Sequence, residues 1–285
     1  MLEKLQEYVT PKTIPEAIRL LRAQPRGSAV AINGSIDVHW PRLQNARRFV
    51  DTSRLGLSYI RETKTHLKIG AATPIEDIVQ SKACARFAGG LLREAALTLV
   101  SPMRRCETSV AALIINVART IDLLPALMAL DGSVVVHGTS KRSLALRDLF
   151  AGKGRTVLDR ELLLEVVIPK PKAKTGTALE RHALTPSDAP MLMTAVTVRT
   201  ARGKVEQATI AVGGGLLFPM RALKLEKEIK GKPVDMGVFA CIAHGVGDHI
   251  QPINDARCSA DHRREVCRVL VRRALTRAAG LGDAR

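Results

Sequence analysis

Two cysteine–histidine pairs stand at spacings that a zinc site could use: Cys241 with His244, and Cys258 with His262. Zinc in proteins is held by thiolate and imidazole ligands at such short separations. The second pair, however, falls within a longer motif that needs no metal, and the five cysteines are scattered without any C-x-x-C pair. An odd, scattered set argues against both a disulfide framework and an iron–sulfur cluster. We therefore predict no metal site in this chain.

Two glycine-containing stretches could bring backbone N–H groups close to a phosphate. Asn33-Gly34-Ser35-Ile36-Asp37 directly follows Ser28–Ile32, an apolar segment typical of a buried strand. Glycine suits a phosphate loop because it reaches positive φ and lets a ligand approach the backbone, and asparagine is the next most tolerant residue. Gly213–Gly215 lacks the following lysine and serine or threonine of a nucleoside triphosphate site, so we interpret it as a close-packed strand end.

The most informative stretch is Ser101–Gly132. It begins polar, is almost wholly apolar over Val110–Val117, is interrupted by Arg119 and Asp122, and then becomes apolar again. This pattern predicts a buried strand or loop followed by a short core helix. The two charges, together with Pro125, argue against a membrane span.

The elements that would position these loops have clear local signals. Thr13-Ile14-Pro15-Glu16 and Thr73-Pro74-Ile75-Glu76 each predict a helix start with a capping box. Met191–Thr200 and Lys204–Val212, separated by a short turn, predict an antiparallel strand pair. Further segments of strand character are Arg48–Leu55, Leu57–Ile60, His66–Ala72, Ser133–His137 and Glu161–Pro169.

Composition places the chain among soluble globular proteins of two or three lobes, with 285 residues, 46% of them hydrophobic. The net charge of +17 raises the question of nucleic acid. Because the charges are spread along the chain and aromatic residues make up only 3%, we predict no nucleic-acid partner. The charge is explained by a basic surface facing acidic partner subunits or by an arginine-rich proteome. The first residues, MLEKLQEYVTPKT, lack the apolar core of a secretory signal, which predicts a cytoplasmic protein.

The central stretch resembles the second flavin loop of the medium, FAD-binding subunit of the molybdenum hydroxylases, which include carbon monoxide dehydrogenase, xanthine dehydrogenase and aldehyde oxidoreductases. That loop reads I-R-N-x-x-T-x-G-G-N, then an aspartate, then P-x-L-x-A-L-D-A. The matching residues are Met103, Arg104, Thr108, Asp122, Pro125, Leu127, Ala129, Leu130 and Asp131. Arg105 replaces the first asparagine, and Val110, Ala111 and Ala112 replace the closing glycine pair and asparagine.

The resemblance continues along nearly the whole chain. Asn33–Asp37 resembles the first flavin loop, A-G-G-T-D. Gly213–Ala222 resembles G-G-V-x-x-x-P-x-R-A, and Asp255–Arg264 resembles D-x-R-x-S-A-x-Y-R-R. Lys170–Gly176 has the composition of a linker, and we place a domain boundary there.

The resemblance implies an α+β fold. A PCMH-type FAD-binding domain would span residues 1–170 in two lobes, about 1–56 and 57–170. A small C-terminal domain of the CO dehydrogenase flavoprotein type would span residues 177–285, with a three-stranded antiparallel sheet packed on helices.

The resemblance also implies a flavin site. The residues that it assigns to cofactor contact are Ile32, Asn33, Gly34, Ser35, Ile36 and Asp37 in the first loop, Thr108, Ser109, Ala111 and Ala112 in the second, and Asp122 and Arg181. Hydroxyl groups such as that of Thr108 could donate to phosphate oxygens. Arg181 is the only cation available to a flavin edge near Leu179.

In the resembled complexes, a small subunit carries two [2Fe-2S] clusters and a large subunit carries the molybdenum pterin, commonly in a dimer of heterotrimers. This chain would bind FAD, carry no catalytic residue for substrate hydroxylation, and pass electrons to NAD, a quinone or another acceptor. Because both flavin loops depart from the family pattern, a second interpretation stays open. In that interpretation the chain is a structural medium subunit with weak or no FAD binding.

Overall fold

The computed structural model describes residues 4–23, 25, 28–33, 45–99, 101–115, 123–150, 158, 160–186 and 188–281. Five of the predicted flavin contacts lie outside these described residues: Gly34, Ser35, Ile36, Asp37 and Asp122.

Strands and helices alternate irregularly along the chain, as expected for an α+β protein. The strands are β1 (Glu7–Val9), β2 (Ala29–Ile32), β3 (Arg48–Asp51), β4 (Ile60–Glu62), β5 (His66–Gly70), β6 (Ser133–His137), β7 (Lys141–Ala145), β8 (Leu162–Pro169), β9 (Thr175–His182), β10 (Leu192–Ala201), β11 (Lys204–Gly213) and β12 (Met220–Arg221). The helices are α1 (Ile14–Arg22), α2 (Ile75–Gln80), α3 (Lys82–Arg86), α4 (Leu91–Leu97), α5 (Pro102–Glu107), α6 (Val110–Ile115), α7 (Leu124–Ala129), α8 (Leu223–Ile229), α9 (Met236–His249) and α10 (Ala260–Ala278). Short 3₁₀ turns occupy Phe87–Gly90 and Leu146–Asp148.

The first lobe is a parallel sheet of three strands in the order β1-β3-β2, with α1 beside it. Helix α1 begins where the sequence predicts. Thr13 is the N-cap and its hydroxyl accepts a hydrogen bond from the Glu16 N–H, while the Glu16 carboxylate accepts from the Lys12 N–H at 2.8 Å instead of completing the predicted box with Thr13. The buried face of α1 consists of Ala17, Ile18 and Leu21.

The second lobe is an antiparallel sheet of five strands in the order β4-β5-β8-β6-β7. Alternate side chains of its strands enter the largest core, where they meet helices α2, α3, α4, α6 and α7. The fully buried members of this alternation are Leu67, Ile69, Val134, Val136, Val166 and Ile168.

The C-terminal part is an antiparallel sheet in the order β12-β11-β10-β9, packed on α8, α9 and α10. The predicted antiparallel pair is confirmed as β10 and β11. The sheet has four strands rather than the three that the family resemblance implies, and the additional strand, β12, has only two residues. The predicted close-packed strand end is also found, because a side-chain carbon added at Gly215 would overlap the Arg263 side chain.

Strand β10 is buried on both faces, which explains its nearly continuous apolar sequence. Leu192 and Val196 belong to the C-terminal core with the helices, whereas Met193 and Ala195 belong to the core of the second lobe. Hydrogen bonds also join the two regions: the Thr177 hydroxyl donates to the Ala88 carbonyl at 2.9 Å. The predicted linker Lys170–Gly176 covers the connection between β8 and β9 and also the first two residues of β9, and the division of the chain there stays a prediction.

Two local predictions are wrong. The apolar run after Ser109 is helical over Val110–Ile115 rather than a strand or loop. Thr73 does not cap α2, since its hydroxyl accepts from the Tyr59 N–H and donates to the Tyr59 carbonyl, both at 3.0 Å. The short core helix predicted after this run is confirmed as α7.

Among the described residues, no helix is long and apolar enough to cross a membrane.

Candidate cofactor site

The first-loop site starts at the carboxyl end of β2. Ile32 is buried, and its carbonyl accepts hydrogen bonds from the N–H and the hydroxyl of Thr52 at 2.9 and 3.0 Å. These bonds fix the strand end. The Ile32 side chain therefore lies in a core with Val30 and Phe49, and its contribution to the site is the position of the residues that follow.

Asn33 presents an unused hydrogen-bond donor at this strand end. Its Nδ2 atom is buried and has no hydrogen-bond partner among the described residues. Leaving a buried amide donor unpaired costs about 1–3 kcal/mol, so such a group usually has a function or an absent partner. A phosphate or carbonyl oxygen of a bound cofactor fits this donor.

The second loop is held against the end of β5 and the start of α2. The Thr108 carbonyl accepts from the Ile75 N–H at 3.0 Å, and Ser109 forms an isolated β-bridge with Pro74. Ser109 is only 3% exposed, and Thr108 is half-buried. The serine is therefore part of the packed wall of the loop.

The backbone donors that follow are already committed to the protein. The Val110 N–H donates to the Thr73 carbonyl at 3.0 Å, and the Ala111 N–H donates to the Ala71 carbonyl at 2.9 Å. The Ala112 N–H donates to the Ser109 hydroxyl at 3.2 Å. The two donors that the resemblance places near a pyrophosphate, the N–H groups of Ala111 and Ala112, are thus occupied by the protein in this conformation.

The side chain of Val110 gives the physical reason for this arrangement. It is fully buried among the core residues around Leu113 and Ile114, a position at which a glycine would contribute no packing. Burial of a valine side chain contributes about 1.5–3 kcal/mol. Burial of the Val110 side chain therefore stabilises the start of α6.

Arg105 is a positioning residue that sequence analysis treated only as a substitution. Its side chain is 9% exposed, its Nε donates to Glu76 at 2.6 Å, and its Nη1 donates to the Leu99 carbonyl at 2.9 Å. A hydrogen bond from Gln80, followed by the one from Arg105, lowers the pKa of Glu76. The arginine ties the second loop to α2. The sequence feature that could have indicated this role is an arginine in the helical turn just before Thr108.

Arg181 is the second unused donor at a predicted position. It lies on β9 opposite Met193, is half-buried, and donates from Nη2 to the Asp188 carbonyl. Its Nε is buried and has no partner in the described part of the chain. A cationic donor of this kind suits a carbonyl or phosphate oxygen of a cofactor.

The predicted contacts do not all meet in the described residues. Backbone bonds bring Thr108–Ala112 together with Ala71–Ile75. No hydrogen bond within the described ranges joins Asn33 or Arg181 to that loop, and the rest of the first loop and Asp122 lie outside those ranges. Asn33 and Arg181 fit a cofactor, whereas the amides of the second loop do not.

The two cysteine–histidine pairs have no third ligand beside them among the described residues. In the part of the chain that the structure describes, no three histidine, cysteine, aspartate or glutamate side chains are grouped so as to hold a metal ion. His244 instead pairs with Asp248 at 3.3 Å. The rings of His262 and His182 lie 5.8 Å apart, and burial, followed by repulsion from His262, lowers the pKa of His182.

Comparisons with known proteins agree with this architecture. Residues 3–171 match the family described as the FAD binding domain in molybdopterin dehydrogenase, and residues 181–278 match the CO dehydrogenase flavoprotein C-terminal domain. The chain is 27% identical to the carbon monoxide dehydrogenase medium chain of Afipia carboxidovorans, over 95% of this chain and 96% of that protein. It is 26% identical to the glyceraldehyde dehydrogenase medium chain of Sulfolobus acidocaldarius, over 94% and 96%. A crystal structure of carbon monoxide dehydrogenase from Hydrogenophaga pseudoflava superimposes with a TM-score of 0.89 and 26% identity, covering 97% of this chain and 98% of that one.

Proposed function

This chain belongs to the FAD-binding medium subunits of the molybdenum hydroxylases, and from that membership we propose that it is the electron-transfer subunit of such a complex. In the proposed complex, a small subunit carries [2Fe-2S] clusters and a large subunit carries the molybdenum pterin. The assembly would be a dimer of heterotrimers. The chain would pass electrons from the clusters to an external acceptor of the NAD or quinone type. It would have no catalytic residue for substrate hydroxylation.

The observation that carries the proposal is the buried Nδ2 donor of Asn33 at the end of β2, which has no hydrogen-bond partner in the described part of the chain. When bound, FAD supplies a redox centre that accepts and releases electrons. Asn33 would donate to that cofactor, with Gly34–Asp37 completing the first loop. Arg181 would donate from the C-terminal sheet, and its charge would favour a reduced, more negative cofactor.

The second loop has a different role in this proposal. Ser109, Ala111 and Ala112 would form the wall of the site, because their polar groups are occupied by the protein itself. Thr108 is the half-buried hydroxyl of that wall, and Asp122 is proposed from the family pattern alone. The contact with phosphate would then come mainly from the first loop.

The backbone N–H groups of the second loop, which already donate to acceptors within the protein, support a second candidate function. If the first loop cannot compensate for them, the chain would be a structural medium subunit with weak or no FAD binding. The buried Val110 side chain and the N–H groups of Ala111 and Ala112 favour this alternative. Asn33 and Arg181 favour the redox function, since each carries a buried donor that has no partner among the described residues and that an oxygen of a cofactor could accept.

Visible absorption of the purified protein, with any co-purifying subunits, tests the proposal. We expect flavin bands corresponding to about one FAD per chain, the stoichiometry of a single cofactor domain. Heat release followed by analysis of the supernatant identifies the flavin. A protein that stays colourless after incubation with excess FAD would contradict the redox function and support the structural one.

A further inference from the structure

A cleft opens beside the connection between β8 and β9. It has a volume of about 180 Å³. The lining comes from the end of α7 at Ala129–Asp131, from the connection at Pro169–Lys172, and from Thr197, Arg199 and Gln207 of the C-terminal sheet. The cleft therefore lies where the two cores of the chain meet.

Exposed cations surround this end of the C-terminal sheet. Lys172 and Lys174 precede β9, Arg202 lies on the turn between β10 and β11, and Lys204 is the first residue of β11. Strand register brings these segments side by side, because Thr175 of β9 pairs with Arg199 of β10.

Two more cations are brought to the same end by the turn between α8 and α9. The Val205 N–H donates to the Lys232 carbonyl at 2.9 Å, and the Gly231 N–H donates to the Val205 carbonyl at 2.7 Å. Lys230 and Lys232 therefore lie beside the β10–β11 turn. We call these exposed cations, together with the cleft, the basic cleft; its six cations are Lys172, Lys174, Arg202, Lys204, Lys230 and Lys232.

The carboxylates nearby are engaged with other cations. Glu62 pairs with Lys170 at 2.7 Å, and Glu206 pairs with Arg199. Asp131 pairs with Arg221 at 2.7 Å. None of the six cations forms an ion pair with another described residue, so their charge is not neutralised within this part of the chain.

Two of the cations occupy backbone positions that favour glycine. Lys174 has a φ of 62° and Arg202 has a φ of 50°, both in the left-handed region. Side chains other than glycine, asparagine and aspartate are uncommon there, because their Cβ crowds the backbone. Lys174 and Arg202 thus each carry a long cationic side chain at a position whose left-handed backbone conformation is unfavourable for such a residue.

We propose that the basic cleft binds an acidic segment of a partner protein, with one side chain entering the cleft. Its volume is below the roughly 300–1,000 Å³ of sites for drug-sized ligands, so it suits a side chain better than a free cofactor. Its lining has no aromatic residue on which a nucleotide base could stack. A second copy of this chain is disfavoured because each copy carries a charge of +17.

The basic cleft is separate from the candidate cofactor site. Thr175 lines the cleft at the start of β9, and Arg181 lies six residues further along the same strand. At about 3.3 Å per residue, the two positions are about 20 Å apart. The proposed partner would therefore not contact the position at which Arg181 would meet the cofactor.

The experiment measures binding of a fluorescein-labelled oligoglutamate peptide to the full chain by fluorescence anisotropy at low salt. The test variant is Lys172→Glu with Arg202→Glu, and the matched control is Lys12→Glu with Lys82→Glu, which makes the same change of charge at exposed positions of the N-terminal half. An oligothymidylate of matched charge is titrated in parallel. Thermal unfolding checks that all variants are folded.

We expect the peptide to bind in a salt-dependent manner and the test variant to weaken binding at least about tenfold, because like charges at a docking surface repel. The control should weaken binding by less than about twofold, as expected for distant exposed charges. Equal losses in the two variants would show a response to net charge alone and overturn the proposal. Absence of peptide binding, or tighter binding of oligothymidylate that the test variant abolishes, would also overturn it.

Discussion

The guanidinium group of Arg221 donates from Nη1 to Oδ1 of Asp131 at 2.7 Å, which joins the C-terminal sheet to the turn after α7. The same group donates to both oxygens of Glu226 at 2.6 and 2.7 Å, and to the Met128 carbonyl at 2.8 Å. Burial alone would lower the pKa of Arg221, but the two carboxylates raise it. The buried charge is thus compensated by partners from both regions of the chain.

Replacing Arg221 by methionine should lower the free energy of unfolding by about 3 kcal/mol, because the substitution leaves the largely buried carboxylate of Glu226 with the Ile210 N–H but without its charged partner. The measurement is equilibrium unfolding in urea. Lys224→Met is the control, since the Lys224–Glu228 pair is exposed and should contribute less than about 0.5 kcal/mol. Equal effects of the two substitutions would show that Arg221 does not stabilise the contact between the two regions.

A second prediction concerns the packing of β9 against α10. A side-chain carbon added at Gly176 would overlap the carbonyl oxygen of Ala278. Gly176→Ala should therefore destabilise the protein by about 2–3 kcal/mol, the usual cost of overpacking, as measured by urea unfolding. Gly203→Ala is the control: Gly203 has a φ of 71° but nothing within 4 Å, so only a backbone cost of about 1 kcal/mol is expected.

The sequence predicts correctly those structural features that are set by residues close together in the chain, and it fails where a distant residue decides the structure. The N-cap of α1 at Thr13 and the β10–β11 pair follow from residues that are neighbours in the chain, and both are confirmed. The helix Val110–Ile115 was missed because an apolar run without polar interruptions has no readable period. Thr73 failed as a cap because Tyr59, fourteen residues earlier, offers its hydroxyl two backbone partners.

The candidate site shows the same limit. The family pattern located Asn33 and Arg181, but only the fold reveals that each carries a buried donor without a partner among the described residues. The pattern also placed Ala111 near phosphate. Its N–H is instead used by Ala71, a carbonyl forty residues away in the chain that no sequence motif marks.

The His182–His262 pair predicts a pH-dependent stability. Burial and repulsion from His262 lower the pKa of His182 below its usual 6.5, so the unfolded chain binds a proton that the folded chain does not. The free energy of unfolding should therefore decrease as the pH is lowered from about 6.5 toward the lower pKa of the folded state. Above about pH 6.5 the histidine is neutral in both states, and the full stability is present.

The test compares the melting temperature at about pH 7.5 and pH 5.5, on either side of the usual histidine pKa. His182→Gln should reduce the decrease between the two values. His262→Gln should reduce it less, because it removes the repulsion and leaves the burial unchanged. An unchanged decrease in His182→Gln would assign the pH dependence to other groups.

The last prediction separates the two flavin loops. Asn33→Ala should weaken FAD binding about tenfold, which corresponds to about 1.4 kcal/mol for one lost hydrogen bond. Ala111→Gly should change the affinity by less than about twofold, because the N–H at that position is committed to the Ala71 carbonyl whichever side chain is present. Both affinities come from titrating the flavin-free protein with FAD and following flavin fluorescence. A large gain in Ala111→Gly together with no loss in Asn33→Ala would place the phosphate at the second loop. The wall assigned to Ser109–Ala112 would then be the true binding surface.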